Sequence, residues 1–282
     1  MTKLRLMTNN IWNRDENTPA WAERGDDCSA EARLPNLFRI YEDTQPDVIG
    51  MQECSLKMAD LMMRRFAERE MPYTMLWGKF TPIVYRTDRF EVVDAMYRLY
   101  PLHLPGREGS FNDAASKSFS LAALRVKESG RLILFAATHL WWKSGNPARS
   151  NYQPYSAEAR EYQLKMLIGQ VDAWQAKYDC PAIIVGDLNS GIDSLALKAA
   201  FAAGFAHAHD LATVYRDETM GVHYCHPDRY EKLPYPRKFD SSIDHILMRG
   251  MPDGSVHRFC RYAPAYYMAA SDHFPAWADV EI

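Results

Sequence analysis

A chain of 282 residues, 47% hydrophobic and 24% charged, can bury a substantial core and carries the charge content of an ordinary globular protein. Its net charge of −3 provides no global positive field to draw in nucleic acid or anionic lipid, and leaves room only for a local basic cleft. Five scattered cysteines, Cys28, Cys54, Cys180, Cys225 and Cys260, form no CxxC pair, which favours reduced thiols in a cytoplasmic protein over a disulfide frame.

The N-terminal "MTKLRLMTNNIW" alternates as a strand, with Leu4, Leu6 and Thr8 on one side and Lys3, Arg5 and Met7 on the other, and does not read as a secretory leader. Ser29 is placed to cap a helix through "EARLPNLFRIYEDT", with Pro35 expected to disturb its interior. "DVIGMQE" predicts a second strand, and Ser55 opens the helix "LKMADLMMRRFAERE", apolar at helical spacing. "TPIVYR", "FEVVDAMYRLY", "SFSLAALRV" and "RLILFAATHL" predict strands, the last two joined by a hairpin turn at "VKESGR". A long helix spans "SAEAREYQLKMLIGQVDAWQAKY", with Ser156 as its candidate cap. "PAIIVGDLN" is a strand running into a loop, residues 193–203 a short helix, and "SSIDHILM", "SVHRFCRYA" and "FPAWADVEI" late strands. Residues 101–116 and 216–240, rich in Pro, Gly and charge, read as long surface loops. No apolar run approaches the roughly 20 residues of a membrane span. No linker divides the chain, so residues 1–282 are expected to form one α/β domain with a layered core and no evident obligate protein partner.

Several of these strands end on a polar residue: Asn10 in "MTNNIW", Glu53 in "MQE", His139 in "THLWW", Asp187 and Asn189 in "VGDLN", Asp244 in "SSIDHI", and Asp272 and His273 in "ASDHF". Each has a plain structural reading; Asn10 can cap a turn, and Glu53 can cap the helix that follows it. Together they ask for more. Acids in apolar strands are costly to bury unless paired or bound to metal. If these strand ends converge, Glu53, Asp187, Asp244 and Asp272 crowd negative charge, and oxygen donors of this kind suit Mg²⁺ or Mn²⁺ better than Zn²⁺.

In this order, "TNNIW", "MQE", "THL", "GDLN", "IDHI" and "SDHF" resemble the endonuclease/exonuclease/phosphatase superfamily, from Met7 to Phe274. The pairing of "GDLN" with a C-terminal "SDH" is its most specific part. The resemblance implies a four-layer α/β sandwich, two mixed β-sheets packed face to face with helices outside and the site at one rim. It implies a divalent-metal-dependent phosphoesterase that attacks a phosphodiester with an activated water. Asn10, Glu53 and Asp272 match metal-site positions, and Asp187 the residue that orients or deprotonates the water. Asn189 matches a phosphate or metal contact. His139 matches the histidine that binds the scissile phosphate or protonates the leaving group. Asp244 matches the carboxylate that orients the last histidine, His273, which contacts the phosphate.

Weaker signals surround this set. Lys117 stands where a basic residue precedes a strand, as a phosphate contact or as a solvated lysine. Arg160 belongs either to the site or to a pair with Glu158 or Glu161. Trp141, Trp142 and Lys143 follow His139, as a stacking wall or with one tryptophan in the core. His207, His209, His223, Cys225 and His226 lack the tidy ligand pairs of a zinc site. Lys79, Arg86, Arg89, Lys143 and Arg149 are candidates for a basic track. The acidic balance disfavours a nuclease that clamps many phosphates. The expected substrate is a nucleotide, a nucleic acid or a phosphorylated small molecule. A DNA repair endonuclease and a noncatalytic phosphate-binding module are the alternatives.

Overall fold

In the computed structural model, which describes residues 1–217, 242–262 and 264–282, the apolar runs of the sequence become strands, the central ones buried on both faces. One sheet runs in the spatial order β10 (Val214–Asp217), β12 (Val256–Arg261), β13 (Ala276–Glu281), β1 (Lys3–Asn10), β2 (Val48–Gln52), β4 (Ile83–Arg86) and β3 (Tyr73–Leu76). The other runs β5 (Phe90–Leu99), β6 (Ser118–Val126), β7 (Leu132–His139), β8 (Ala182–Asp187), β11 (Asp244–Arg249) and β9 (Ala206–His207). Both are mixed: β1 runs parallel to β2 and β7 parallel to β8, while β11 is antiparallel to β8.

Period-two alternation sorts each strand's side chains into separate layers. Leu6, Val48 and Ile83 meet Phe135, Ile183, Val185 and Ile246 between the sheets. On the outside of the first sheet, Met7, Ile49 and Met51 pack against helices α2 (Ala30–Thr44) and α3 (Leu56–Glu68), through Phe38, Tyr41, Met62 and Phe66. On the outside of the second, Leu121, Leu134 and Ile184 pack against α4 (Ser156–Tyr178) and α5 (Leu195–Ala202), through Leu164, Leu167 and Leu197. The result is a helix–sheet–sheet–helix sandwich of four layers. Gly50 lets the sheets approach, because a Cβ there would run into the Val185 side chain.

The capping predictions hold at Ser29 and Ser55, whose hydroxyls accept from the Ala32 and Met58 amides. Ser156 is the first residue of its helix and not the cap: Tyr155, in the left-handed region, takes that place, and the Ser156 hydroxyl donates to the Gln153 carbonyl. Pro35 does not break α2, since it is exposed and water can satisfy the carbonyl its missing N–H would have bonded. Residues 101–116 contain no strand or helix, as expected; most of 216–240 lies outside the described residues. Among the described residues no helix is long and apolar enough to cross a membrane.

Candidate functional site

Strand register brings the polar strand ends together. His139 stands opposite Asp187, and Asp187 opposite Asp244, so three adjacent strands present three functional side chains in one row at one rim. In the facing sheet Asn10 pairs with Gln52, which puts Asn10 and Glu53 at the matching ends of two parallel strands. Lys117 directly precedes β6, whose first residue pairs with His139, and Asp272 and His273 enter β13 at the same rim. Gly186 is required inside this row, because a Cβ there would strike the Thr138 carbonyl of the neighbouring strand.

Asp187 is the hub. Its Oδ1 accepts the Asn189 amide at 2.9 Å. Its Oδ2 lies 3.1 Å from Asn10 Nδ2, 3.4 Å from His139 Nε2 and 3.8 Å from His273 Nε2. His273 Nδ1 donates to Asp244 Oδ2 at 2.8 Å, which fixes its tautomer and turns Nε2 toward Asp187. The Ser271 hydroxyl donates to the Asn10 carbonyl at 2.6 Å and accepts the His273 amide at 3.2 Å, tying this loop to β1. Glu53 is held from the other side, its Oε2 accepting the Asn13 amide at 2.9 Å and its Oε1 lying 3.4 Å from Asn10 Nδ2. Trp12, Glu53 and Asn189 all occupy the left-handed region, at φ 59°, 60° and 48°. For Trp12 and Glu53 this is strain of about 1–3 kcal/mol each, concentrated at the rim.

The electrostatics follow from burial. Loss of solvent pushes the Asp187 carboxyl up to about 7, with Asp244 adding to the shift and His273 and Lys117 opposing it. Burial also raises Asp272 to about 7, with Glu53 and Asp187 contributing. His273 is held well above the ordinary histidine range although burial opposes its charge, because Asp244, Asp187 and Asp272 favour the imidazolium. His139 goes the other way: burial, then the Lys117 ammonium and His273, keep it neutral. Lys117 is buried with its Nζ 2.8 Å from His139 Nε2, so the solvated-lysine reading is overturned. Desolvation draws its charge down while Glu53, Asp187 and Asp113 sustain it.

These residues fit a hard divalent cation. Asp244 Oδ1 and Asp272 Oδ1 are buried without a hydrogen-bond partner, and Glu53, His139 and Asp187 can bring one ligand atom each within 4.8 Å of one another. Asn10 turns Oδ1 to the Trp12 amide and Nδ2 to the two carboxylates, an orientation that an amide flip would reverse. Asp272 stands outside the ligand clusters and reaches them through charge.

A stability consequence follows. Asp187 and Asp272 titrate higher in the folded chain than when unfolded, so their contribution is full below the unfolded-state value of about 3.9 and is lost as pH rises through about 7. His273, also raised, acts in the same direction, but its contribution is lost only above its unfolded-state value of about 6.5. In EDTA, these groups oppose the gain in stability with pH that the lowered carboxyls of Glu31, Asp88, Asp94 and Asp113 provide, so Asp187→Asn is expected to raise the melting temperature more at pH about 7 than at pH about 4. Mg²⁺ should raise it more at the top of that window than at the bottom, since it binds the deprotonated carboxylates. Thermal unfolding with and without metal across the window checks this; a metal increment independent of pH would contradict the assignment.

The remaining candidates sort differently. Trp141 is core, packed edge-on to Phe111 with centroids 6.1 Å apart, while Trp142 is 41% exposed and donates Nε1–H to Asp113 Oδ2 at 2.8 Å. Arg160 pairs with neither Glu158 nor Glu161; its Nη1 donates to the Trp141 and Lys143 carbonyls at 3.2 and 2.6 Å, bracing the turn after His139. Burial lowers its guanidinium to about 10. Asn189 Nδ2 donates to the Leu140 carbonyl at 3.1 Å, so its amide oxygen is the end left for a ligand. The basic track does not form as one stripe. Arg86 and Arg89 lie around Asp47, at the opposite end of β2 from Glu53, and line a separate cleft of ≈ 430 Å³.

Two features had not been read from the sequence. Arg33 of α2 is buried and donates to the carbonyls of Ile11, Trp12, Arg14, Cys28 and Ala270 at 2.5–3.0 Å. It holds the chain leaving β1 against the loop that carries Asp272 and His273. Behind Asp244, His245 Nε2 bonds the Ser190 carbonyl at 2.7 Å, and His207 Nε2 bonds His245 Nδ1 at 3.0 Å. A carbonyl only accepts, so His245 carries its proton on Nε2 and His207 donates to it. This histidine pair steadies the loop after Asp187. His223, Cys225 and His226 of the suggested zinc cluster lie outside the described residues.

The sequence model of the Endonuclease/Exonuclease/phosphatase family matches residues 10–273, a span bounded by Asn10 and His273. Among solved structures, the fold is similar to that of an endonuclease/exonuclease/phosphatase from Bacteroides vulgatus, at TM-score 0.76 and 19% identity over 100% of both chains. It is similar to a mannosyl-6-phosphatase from Bacteroides thetaiotaomicron VPI-5482, at TM-score 0.74 and 18% identity over 99% of this chain and 100% of that one. TDP2 of D. rerio complexed with single strand DNA product aligns at TM-score 0.64 and 16% identity over 100% of both chains. No curated protein sequence matches the chain.

Proposed function

We propose that the chain, which belongs to the endonuclease/exonuclease/phosphatase family of phosphoester hydrolases, uses a divalent cation, Mg²⁺ or Mn²⁺, to hydrolyse a phosphodiester through an oriented water. On this reading residues 1–282 act as a single catalytic domain, with Asn10 and Glu53 on the metal side and Asp272 acting on the metal through its charge or a bridging water. The observation that carries it is the meeting of Asn10, His139 and His273 on one oxygen of Asp187, at 3.1, 3.4 and 3.8 Å.

When bound, the cation neutralises phosphate oxygens and stabilises the leaving oxygen. Asp187, with Oδ1 held by the Asn189 amide, offers Oδ2 to the attacking water and takes its proton as the new bond to phosphorus forms. His273, charged and fixed by Asp244, donates Nε2–H to the phosphate beside that water. His139 is neutral, which favours phosphate binding over leaving-group protonation as its role; the Lys117 ammonium beside it stabilises the departing oxygen, which takes its proton from solvent as the P–O bond breaks. The Asn189 side-chain oxygen, left over when Nδ2 bonds the Leu140 carbonyl, is assigned as a further ligand to phosphate or metal.

The fold relatives include a mannosyl-6-phosphatase and a TDP2 with single-strand DNA product, so the architecture accommodates small and polymeric esters alike. The net charge of −3 and the dispersed basic residues favour a small or single-stranded substrate over a duplex. The described cysteines Cys28, Cys54 and Cys180 are free thiols, which supports a cytoplasmic setting.

Hydrolysis of bis-p-nitrophenyl phosphate and p-nitrophenyl phosphate, compared in Mg²⁺, Mn²⁺ and EDTA, tests the proposal. Cleavage of the diester in preference to the monoester, lost more than about 100-fold in EDTA, is the expected result. No cleavage of either ester with both metals sinks it, and a monoester preference overturns the diester assignment.

A further inference from the structure

Beside the catalytic row lies a cleft of ≈ 480 Å³, which opens from Glu53, Lys117 and His139 and is walled by Trp12, Phe80 and Trp142. Arg14, Asp113, Asn13 and Ser116 complete its lining. We infer that this cleft binds a ring bearing several hydroxyls, so that the alcohol part of the phosphoester is a sugar; the inference rests on the phosphoesterase reading above.

Trp142 is a fixed platform and not a loose surface side chain. Its Nε1–H is bonded to Asp113 Oδ2, and Asp113 Oδ1 accepts the Ser116 hydroxyl at 2.9 Å. The indole lies tilted at 51° against that of Trp141, with centroids 6.2 Å apart, and the Lys143 ammonium lies 5.7 Å from its ring centroid. A bond along the Nε1–H direction sets the carboxylate at the edge of the indole, beside whatever stacks on its face. An apolar ring face with an acceptor at its edge matches a pyranose, whose C–H groups cover the face and whose hydroxyls radiate from the rim.

The polar lining argues in the same direction. Asp113 and Glu53 can only accept when ionised, and Lys117 and Arg14 can only donate. A hydroxyl does both, so a polyhydroxylated ring can serve acceptors and donors in one position. A neighbouring phosphate of a polynucleotide carries no donor, and it would face the Asp113 and Glu53 carboxylates in this cleft.

The test follows release of the free hexose or thymidine, with p-nitrophenyl phosphate as co-product, from the p-nitrophenyl diesters of a hexose 6-phosphate and of thymidine 5′-phosphate, with bis-p-nitrophenyl phosphate as reference, in Mg²⁺. The wild-type chain is expected to show kcat/KM for the hexose diester at least about tenfold above that for the thymidine diester. Trp142→Ala and Asp113→Asn should each erode that advantage, mostly through KM, and cost the hexose diester more than the reference. Equal or better turnover of the thymidine diester, or a hexose preference that survives in both variants, overturns the inference. Binding of hexose 6-phosphate and thymidine 5′-phosphate, followed by tryptophan fluorescence, separates the two levels. Selective hexose 6-phosphate binding without turnover of any ester upholds the sugar site and sinks the phosphoesterase reading. Turnover of p-nitrophenyl esters with no hexose selectivity does the reverse.

Discussion

Replacing Asp187 by asparagine is expected to lower kcat by about 10²–10⁴-fold, the range of a positioned general base, and to make the metal-free protein more resistant to heat. The two effects come from one cause. Asp187 is buried among strand ends, and loss of solvent penalises its charge enough to raise the carboxyl despite His273 and Lys117 nearby. Asparagine keeps the shape and can still accept the Asn189 amide on its oxygen. What disappears is the anionic Oδ2 on which Asn10, His139 and His273 converge. A neutral amide cannot take a proton from water, so kcat falls, while a buried charge that burial disfavours is gone. Turnover of bis-p-nitrophenyl phosphate and thermal unfolding in EDTA measure both. Activity within tenfold of wild type removes Asp187 from the chemistry. A lower melting temperature would mean that its pairing with the cations outweighs its desolvation.

Much of this rim was legible in the sequence, for a physical reason. A strand buried on both faces is an apolar run, and its end is where the run stops; a carboxylate or imidazole at that point has to be satisfied by something else. "AIIVGD" and "THL" therefore announced Asp187 and His139 before any fold was known. Register did the rest, because parallel neighbours β7 and β8 necessarily end at one rim. What sequence could not supply were contacts made across loops. Lys117 was left open between phosphate contact and solvent, since its burial depends on Asn112, which bonds its amide and carbonyl and folds the preceding loop over it. Arg160 was offered Glu158 and Glu161 because they are near in sequence, yet residues one or two apart on a helix do not face each other. Its partners are carbonyls on another segment. The basic track failed for the same reason in reverse: Arg86 and Arg89 share a charge type with Lys143 but sit at the other end of a strand.

Arg33 shows the largest gap between pattern and structure, and its removal carries the largest expected cost in stability. Helical spacing from Ala30 and Leu37 puts it on the apolar face of α2, but a charge there names no partner. In the fold it is buried, and its guanidinium spreads its donors over carbonyls of Ile11, Trp12, Arg14, Cys28 and Ala270. Burial lowers its affinity for the proton, with Tyr267 and Asp272 opposing, and a guanidinium stays charged through such a shift. Arg33→Met keeps much of the volume but strands those carbonyls. Orphaned buried acceptors cost about 1–3 kcal/mol each when water cannot reach them, and partial rehydration brings the expected total to about 3–5 kcal/mol, near that of breaking a buried ion pair. For a chain of this size that is a fall in melting temperature of about 10 °C. Arg33→Lys should recover only part, because an ammonium has three donors and no planar fork to reach both loops at once. Activity should report the same geometry. Residues 11–14 carry Trp12, Asn13 and Arg14 into the cleft, and Ala270 precedes Asp272 and His273, so loosening both segments should raise KM and lower kcat in the lysine variant while it remains folded. A lysine variant with wild-type melting temperature and kinetics would mean that the loops hold their places without the guanidinium.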